Sequence, residues 1–113
     1  DMAKLIYHCN NKPKQEIEIP DEREVYIGRA QHSTATTITL NDECISRCHA
    51  KLEKRVLPEG GACHVLTDEG STNGTYLFNG EFFRKLQPQE EITLVEGDRI
   101  KFSKHEFEYH DGV

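Results

Sequence analysis

Asp68-Glu69-Gly70-Ser71-Thr72-Asn73-Gly74-Thr75-Tyr76-Leu77-Phe78-Asn79-Gly80 is the stretch around which the rest of the chain can be read. It holds three glycines and two Asn-Gly dipeptides beside an apolar Tyr-Leu-Phe run. Asn-Gly favours a tight turn because both residues tolerate positive φ at little cost. Asn79-Gly80, between Tyr76-Leu77-Phe78 and Glu81-Phe82-Phe83, reads as a hairpin turn. Ser71-Thr72-Asn73-Gly74 reads differently, as a short polar loop offering two hydroxyls and a carboxamide. Such groups on a loop held by a rigid sheet can form a recognition surface.

The flanking sequence repeats this β character. Lys4 to Cys9, Glu16 to Ile19, Glu24 to Ile27 and Thr37 to Leu40 are short alternating runs. Asn10-Asn11-Lys12-Pro13 turns the chain between the first two. Ser46 to Val56 reads as the longest strand, with Cys48, Ala50 and Leu52 on one face and Arg47, His49, Lys51 and Glu53 on the other. Pro58-Glu59-Gly60-Gly61 turns it into Ala62 to Thr67. Ile92 to Leu94, Arg99 to Phe102 and Glu106 to Tyr109 close the series. No stretch of about ten residues carries a helical stripe, so the pattern is that of an all-β sandwich or barrel. The loops expected to do its work are 29–36, 41–46 and 70–74.

Bulk properties limit what the chain does. At 113 residues it is one domain's worth, 1–113, and a start at Asp1 suggests a piece of a longer protein. Its net charge of −6 argues against nucleic acid as a partner. No run approaches the roughly 20 apolar residues of a membrane span, so no membrane partner is expected. No signal-peptide pattern opens the chain, so Cys9, Cys44, Cys48 and Cys63 are expected as free thiols in an intracellular compartment. Charge is uneven. Arg47, Lys51, Lys54 and Arg55 stand against Glu53 alone, a basic island suited to a small anionic partner, whereas 81–98 carries a local excess of acid.

Two chemistries can be set out and discounted. A hydrolase would draw on Ser46 or Ser71 with His49 and Asp68, but there is no Gly-x-Ser-x-Gly elbow to expose a nucleophile. A zinc site would draw on Cys44, Cys48, His49, Cys63 and His64. Adjacent strand residues point to opposite faces, so one ion could not collect them, and small buried thiols are the simpler expectation. Neither metal nor cofactor nor enzymatic activity is expected.

Gly28-Arg29, Ser46-Arg47-Cys48-His49, Ser71-Thr72-Asn73-Gly74-Thr75 and Gly97-Asp98-Arg99-Ile100 form an ordered series. That series resembles the forkhead-associated (FHA) domain, whose pattern is Gly-Arg, then Ser-x-x-His, then Asn-Gly. The resemblance runs from about 25 to 102 and implies a two-sheet β-sandwich of about ten or eleven mostly antiparallel strands, with ligand loops at one end. It implies a phosphothreonine-dependent peptide-binding module without catalytic activity. By the same resemblance Arg29 and Ser46 are phosphate ligands and Arg47 a further basic contact. Thr72 and Asn73 hold the peptide, while Gly28, His49 and Gly74 support the site. Two departures stand out: Thr36-Thr37-Ile38 where the family often has an acidic residue, and a hairpin before Asn79-Gly80 one residue longer than usual. The alternative within the family is a dimerisation domain that does not rely on phosphate. Nuclear signalling, DNA-damage response and cell-cycle assembly are the settings that analogy suggests.

Overall fold

Short runs of two to seven residues, most of them alternating between apolar and polar, form eleven strands and no helix in a computed structural model that describes residues 2–8 and 14–113. They are β1 (Lys4–His8), β2 (Gln15–Glu18), β3 (Glu24–Gly28), β4 (Thr36–Thr39), β5 (Ala50–Val56), β6 (Ala62–Asp68), β7 (Thr75–Phe78), β8 (Phe83–Lys85), β9 (Ile92–Thr93), β10 (Arg99–Phe102) and β11 (His105–His110). Two sheets result, ordered β2-β1-β11-β10-β7-β8 and β4-β3-β5-β6-β9. The all-β sandwich is therefore as expected. The turn expected at Asn10 to Pro13, and Cys9 before it, lie outside the described residues. Among the described residues no helix is long and apolar enough to cross a membrane.

The core lies between the inner faces. Leu5, Phe107 and Tyr109, with Ile100 and Phe102, come from one sheet; Val25, Ile27, Ile38, Ala50, Leu52 and Leu66 come from the other. Each large side chain buried this way contributes about 1.5–3 kcal/mol relative to exposure.

Register places the loops. In one sheet Ile27 lies opposite Ala50, Ala50 opposite Asp68, and Gly28 opposite Thr39. In the other, Phe102 lies opposite both Thr75 and His105. Segments 40–49, 69–74 and 103–104 therefore gather at one end of the sandwich. A main-chain bond from the Ser103 amide to the Gly74 carbonyl, at 2.9 Å, extends the β7–β10 pairing into those loops.

Two expectations need correction. Segment 29–35 does not stay at that end, because β3 and β4 pair in parallel, with Val25 opposite Thr36. The chain must run back along β3 before β4 begins, and His32 stacks on Tyr26 as it does so, ring centroids 4.2 Å apart. The long strand also starts four residues later than alternation suggests, at Ala50. Residues 46–49 are irregular, with a bend at 47–48, so Cys48 is exposed and His49 fully buried, the reverse of a buried Cys48 face. Cys44 and Cys63 are only half-buried, so none of these three thiols is a core residue.

The hairpin at Asn79-Gly80 forms, but Phe78 pairs with Phe83, making the loop four residues rather than two. The Asn79 side chain sets that loop by accepting the Glu81 and Phe82 amides, each at 3.0 Å.

Candidate functional site

β3 ends at Gly28 because the chain there lies almost against another segment. A Cβ at Gly28 would sit 2.0 Å from the Arg47 carbonyl oxygen, a contact only glycine avoids. That closeness lets the Arg29 amide bond the Ser46 carbonyl at 2.9 Å and the Ala30 amide bond the Arg47 carbonyl at 3.3 Å. The Arg29 Nε donates to the Ile45 carbonyl at 3.0 Å, which aligns the guanidinium along this loop. Arg29 and Arg47 thus stand on adjoining hydrogen-bonded segments, both exposed. Among the described residues neither forms an ion pair.

The rest of the basic island behaves differently. Lys51 pairs with Glu24 at 3.7 Å, Lys54 with Asp21, and Arg55 with Glu53 and Glu91 at 2.6 and 2.7 Å. Lys54 holds the Asp21 carboxyl below its usual range, and Arg55 does the same to Glu91. Three of the four cations are therefore already matched by carboxylates. Of that island, Arg47 alone has no carboxylate partner among the described residues and offers its charge, with Arg29, to an incoming anion.

His49 is the post under the loops. Its Nδ1 accepts the Ser46 amide at 3.1 Å, and its Nε2 lies 2.8 Å from the Gly74 carbonyl. Those partners require a neutral imidazole protonated on Nε2. Burial pushes its pKa down, against the opposing pull of the Gly74 carbonyl and Asp68. Packing is completed by an edge contact with Phe102, centroids 5.9 Å apart.

Segment 69–74 is tied from below by Asp68, at the end of β6. Its Oδ2 accepts the Gly70 and Ser71 amides at 3.0 Å, and its Oδ1 accepts the Ser71 and Thr75 hydroxyls at 2.6 Å. Burial alone would raise this carboxyl, but those hydrogen bonds outweigh it and hold it below the usual range. The Ser71 hydroxyl also accepts the Gly74 amide at 3.0 Å, closing the turn that ends at Gly74, φ +89°. Asp68, Ser71 and Thr75 are the supporting residues that sequence reasoning did not assign. The signal was present in the Asp-x-x-Ser spacing, a side-chain-to-backbone turn pattern.

The two loops then meet. The Thr72 amide donates to the Ser46 Oγ at 3.0 Å, and the Asn73 Nδ2 donates to the Cys44 carbonyl at 2.8 Å. Thr72 and Asn73 are both exposed. Arg29, Ser46, Arg47, Thr72 and Asn73 thus lie on one linked surface, with Gly28, His49 and Gly74 beneath or at the turns. Chemically it offers two arginines, a hydroxyl and a carboxamide to an anionic, hydrogen-bonding ligand.

The hydrolase and zinc sets are not assembled. Ser46 meets His49 through its amide rather than its hydroxyl, and Ser71 Oγ bonds Asp68 rather than an imidazole. Cys48 and His49 diverge, one exposed and one buried. Among the described residues, the group of metal-ligand type whose donor atoms converge is instead Asp42, Cys44 and His105.

This arrangement has relatives. The FHA domain family matches residues 25–103. Protein FraH of Nostoc sp. (strain PCC 7120) is 32% identical over 78% of this chain, and the chain spans 32% of FraH's own length. The yeast Dun1 FHA domain, solved with a doubly phosphorylated (pT) peptide derived from Rad53, superposes with a TM-score of 0.72 at 26% identity, covering 96% of this chain and 73% of that one. The MEK1 FHA domain, solved with a phosphothreonine peptide of HOP1, superposes with a TM-score of 0.70 at 24% identity, covering 98% and 97%. The family match covers well over half of the chain and the superpositions agree with it, so the chain belongs to the FHA domain family.

Proposed function

We propose that the chain is a phosphothreonine-dependent peptide-binding module mediating protein–protein interaction, with the phosphate received between Arg29, Ser46 and Arg47. The observation that carries this reading is electrostatic. On a protein of net charge −6, where most of the basic island is neutralised by its own carboxylates, Arg29 and Arg47 stay exposed and unpaired beside a serine hydroxyl. A phosphothreonine brings about −1.5 to −2 charges and three acceptor oxygens, which suit such a set. Thr72 and Asn73 lie where a peptide backbone would run past that phosphate, the Asn73 carboxamide oxygen serving as acceptor for a peptide amide. Support also comes from Dun1, whose FHA domain holds a phosphorylated peptide and shares 26% of its sequence with this chain.

No catalytic step is assigned to the site. The nuclear, DNA-damage and cell-cycle setting expected by analogy has no support in this likeness, since FraH is a bacterial protein.

An oriented phosphothreonine peptide library tests the proposal. Selective retention of phosphothreonine peptides over their unmodified counterparts is the expected result. Absence of binding across the library, with a concentration-dependent dimer in sedimentation, would instead favour the dimerisation role.

A further inference from the structure

We propose that Asp42, Cys44 and His105 form a binding site for a divalent transition metal of the zinc class. One oxygen, one sulfur and one imidazole nitrogen from these residues all lie within 4.8 Å of one another. The Asp42 Oδ2 and His105 Nε2 are 2.9 Å apart. In a tetrahedral site with metal–ligand bonds of about 2.0–2.3 Å, the donors stand roughly 3.3–3.6 Å apart. That spacing falls between the 2.9 Å separating Asp42 from His105 and the 4.8 Å within which all three donors lie. Three protein donors leave the fourth position to water.

The backbone prepares this geometry. The Cys44 amide donates to Asp42 Oδ1 at 3.1 Å and the Ile45 amide to the Asp42 carbonyl at 3.0 Å. That turn holds one carboxylate oxygen inward and presents the other beside His105. His105 begins β11 in the opposite sheet, so a metal here would tie segment 41–46 to that sheet. An outer partner is also in place: the Tyr7 hydroxyl lies 2.6 Å from His105 Nδ1. A metal-ligating histidine commonly has its second nitrogen bonded in this way, which fixes ring orientation and raises basicity. The opposing group is Lys104, whose Nζ lies 3.9 Å from Asp42 Oδ2. It is exposed on a long stem and can turn into solvent as the cation enters.

The proton balance is simple. Cys44 releases its thiol proton to solvent and binds as thiolate. The imidazole proton moves from Nε2 to Nδ1, where the Tyr7 oxygen accepts it. Thiolate and carboxylate together neutralise a dication. The donor set of sulfur, imidazole and carboxylate selects zinc or cobalt over magnesium and calcium. None of its three ligating side chains is among the groups assigned to the phosphopeptide, although the Cys44 carbonyl braces Asn73.

The test is titration of the reduced 113-residue chain with Co2+, then displacement by Zn2+. Expected are a sulfur-to-cobalt charge-transfer band, visible bands of tetrahedral coordination, and bleaching by one equivalent of Zn2+. Cys44→Ser should abolish the charge-transfer band, His105→Gln should weaken affinity at least tenfold, and Tyr7→Phe should weaken it about tenfold. Cys48→Ser should change nothing. Zinc-edge absorption spectroscopy of the unaltered chain must show one sulfur ligand, and it needs no variant to fold. A charge-transfer band that survives Cys44→Ser or disappears in Cys48→Ser would overturn the assignment, as would a sulfur-free zinc shell.

Discussion

The Ser46 hydroxyl oxygen accepts a hydrogen bond from the Thr72 amide at 3.0 Å, which joins the two loops through the side chain expected to meet phosphate. A hydroxyl has one donor and two acceptor sites. With Oγ accepting from Thr72, its own proton is free to point outward to an anionic oxygen. Ser46→Ala removes that donor and also strands the Thr72 amide. The expected result is at least tenfold weaker phosphopeptide binding, with at most about 1–2 kcal/mol lost from folding stability. Calorimetric titration and denaturant unfolding of the same sample separate the two effects.

His49 gives the fold a sensitivity to acid. Burial lowers its folded-state pKa below the ordinary 6.5, so between those two values the unfolded chain binds a proton that the native chain does not. Stability is therefore fully present above about pH 6.5 and declines as pH falls through the folded pKa. His64, also lowered by burial, acts in the same direction. Urea unfolding from pH 7.5 to 5 should show this decline. Replacing His49 with Gln should flatten it and cost about 1–3 kcal/mol at neutral pH. An unchanged slope in the variant would show that His49 is not the group responsible.

Gly28→Ala tests the close approach beneath Arg29. Its Cβ would meet the Arg47 carbonyl oxygen at 2.0 Å, so 46–49 must move away from β3. That movement breaks the Arg29–Ser46 and Ala30–Arg47 main-chain bonds. Destabilisation of about 2 kcal/mol or more and loss of phosphopeptide binding are expected together. Wild-type melting and binding would contradict the geometry.

The strands were legible because half-buried sheet residues alternate, as Glu106-Phe107-Glu108-Tyr109 does with Phe107 and Tyr109 buried. What alternation could not show is where a strand gives way to turns of similar composition. Extending the period through Ser46 to His49 put His49 on the wrong side, because its burial follows from bonds to Ser46 and Gly74 rather than from strand geometry. Parallel pairing of β3 with β4 was hidden for a related reason, since pairing direction leaves no trace in either strand's own pattern. The charge island misled because the partners of its cations, Glu24, Asp21 and Glu91, lie far away in sequence. Gly28-Arg29, Ser46-x-x-His49 and Asn73-Gly74 were readable through their resemblance to the FHA pattern, and the close approach at Gly28 and the bonds of His49 give two of those positions a physical reason.

A phosphothreonine and a phosphoserine peptide of otherwise identical sequence distinguish a shaped site from a charged patch. Charge alone does not sense a methyl group. A fully buried methyl contributes about 0.8 kcal/mol, and β-branching lowers the ordering cost of the bound residue. A preference for phosphothreonine of roughly tenfold is expected at fixed salt. Equal affinities would remove the methyl pocket.

The most direct test of the central claim is titration of one library-selected peptide, phosphorylated and unphosphorylated, into the wild-type chain and into Arg29→Ala. The account predicts that the wild type prefers the phosphorylated form by about a hundredfold, the equivalent of two charge-assisted hydrogen bonds at roughly 1.5 kcal/mol each. Arg29→Ala should keep its melting temperature and lose at least tenfold in affinity for the phosphorylated peptide alone. Equal binding of the two peptides by the wild type, or an Arg29→Ala variant that binds as the wild type does, would contradict it.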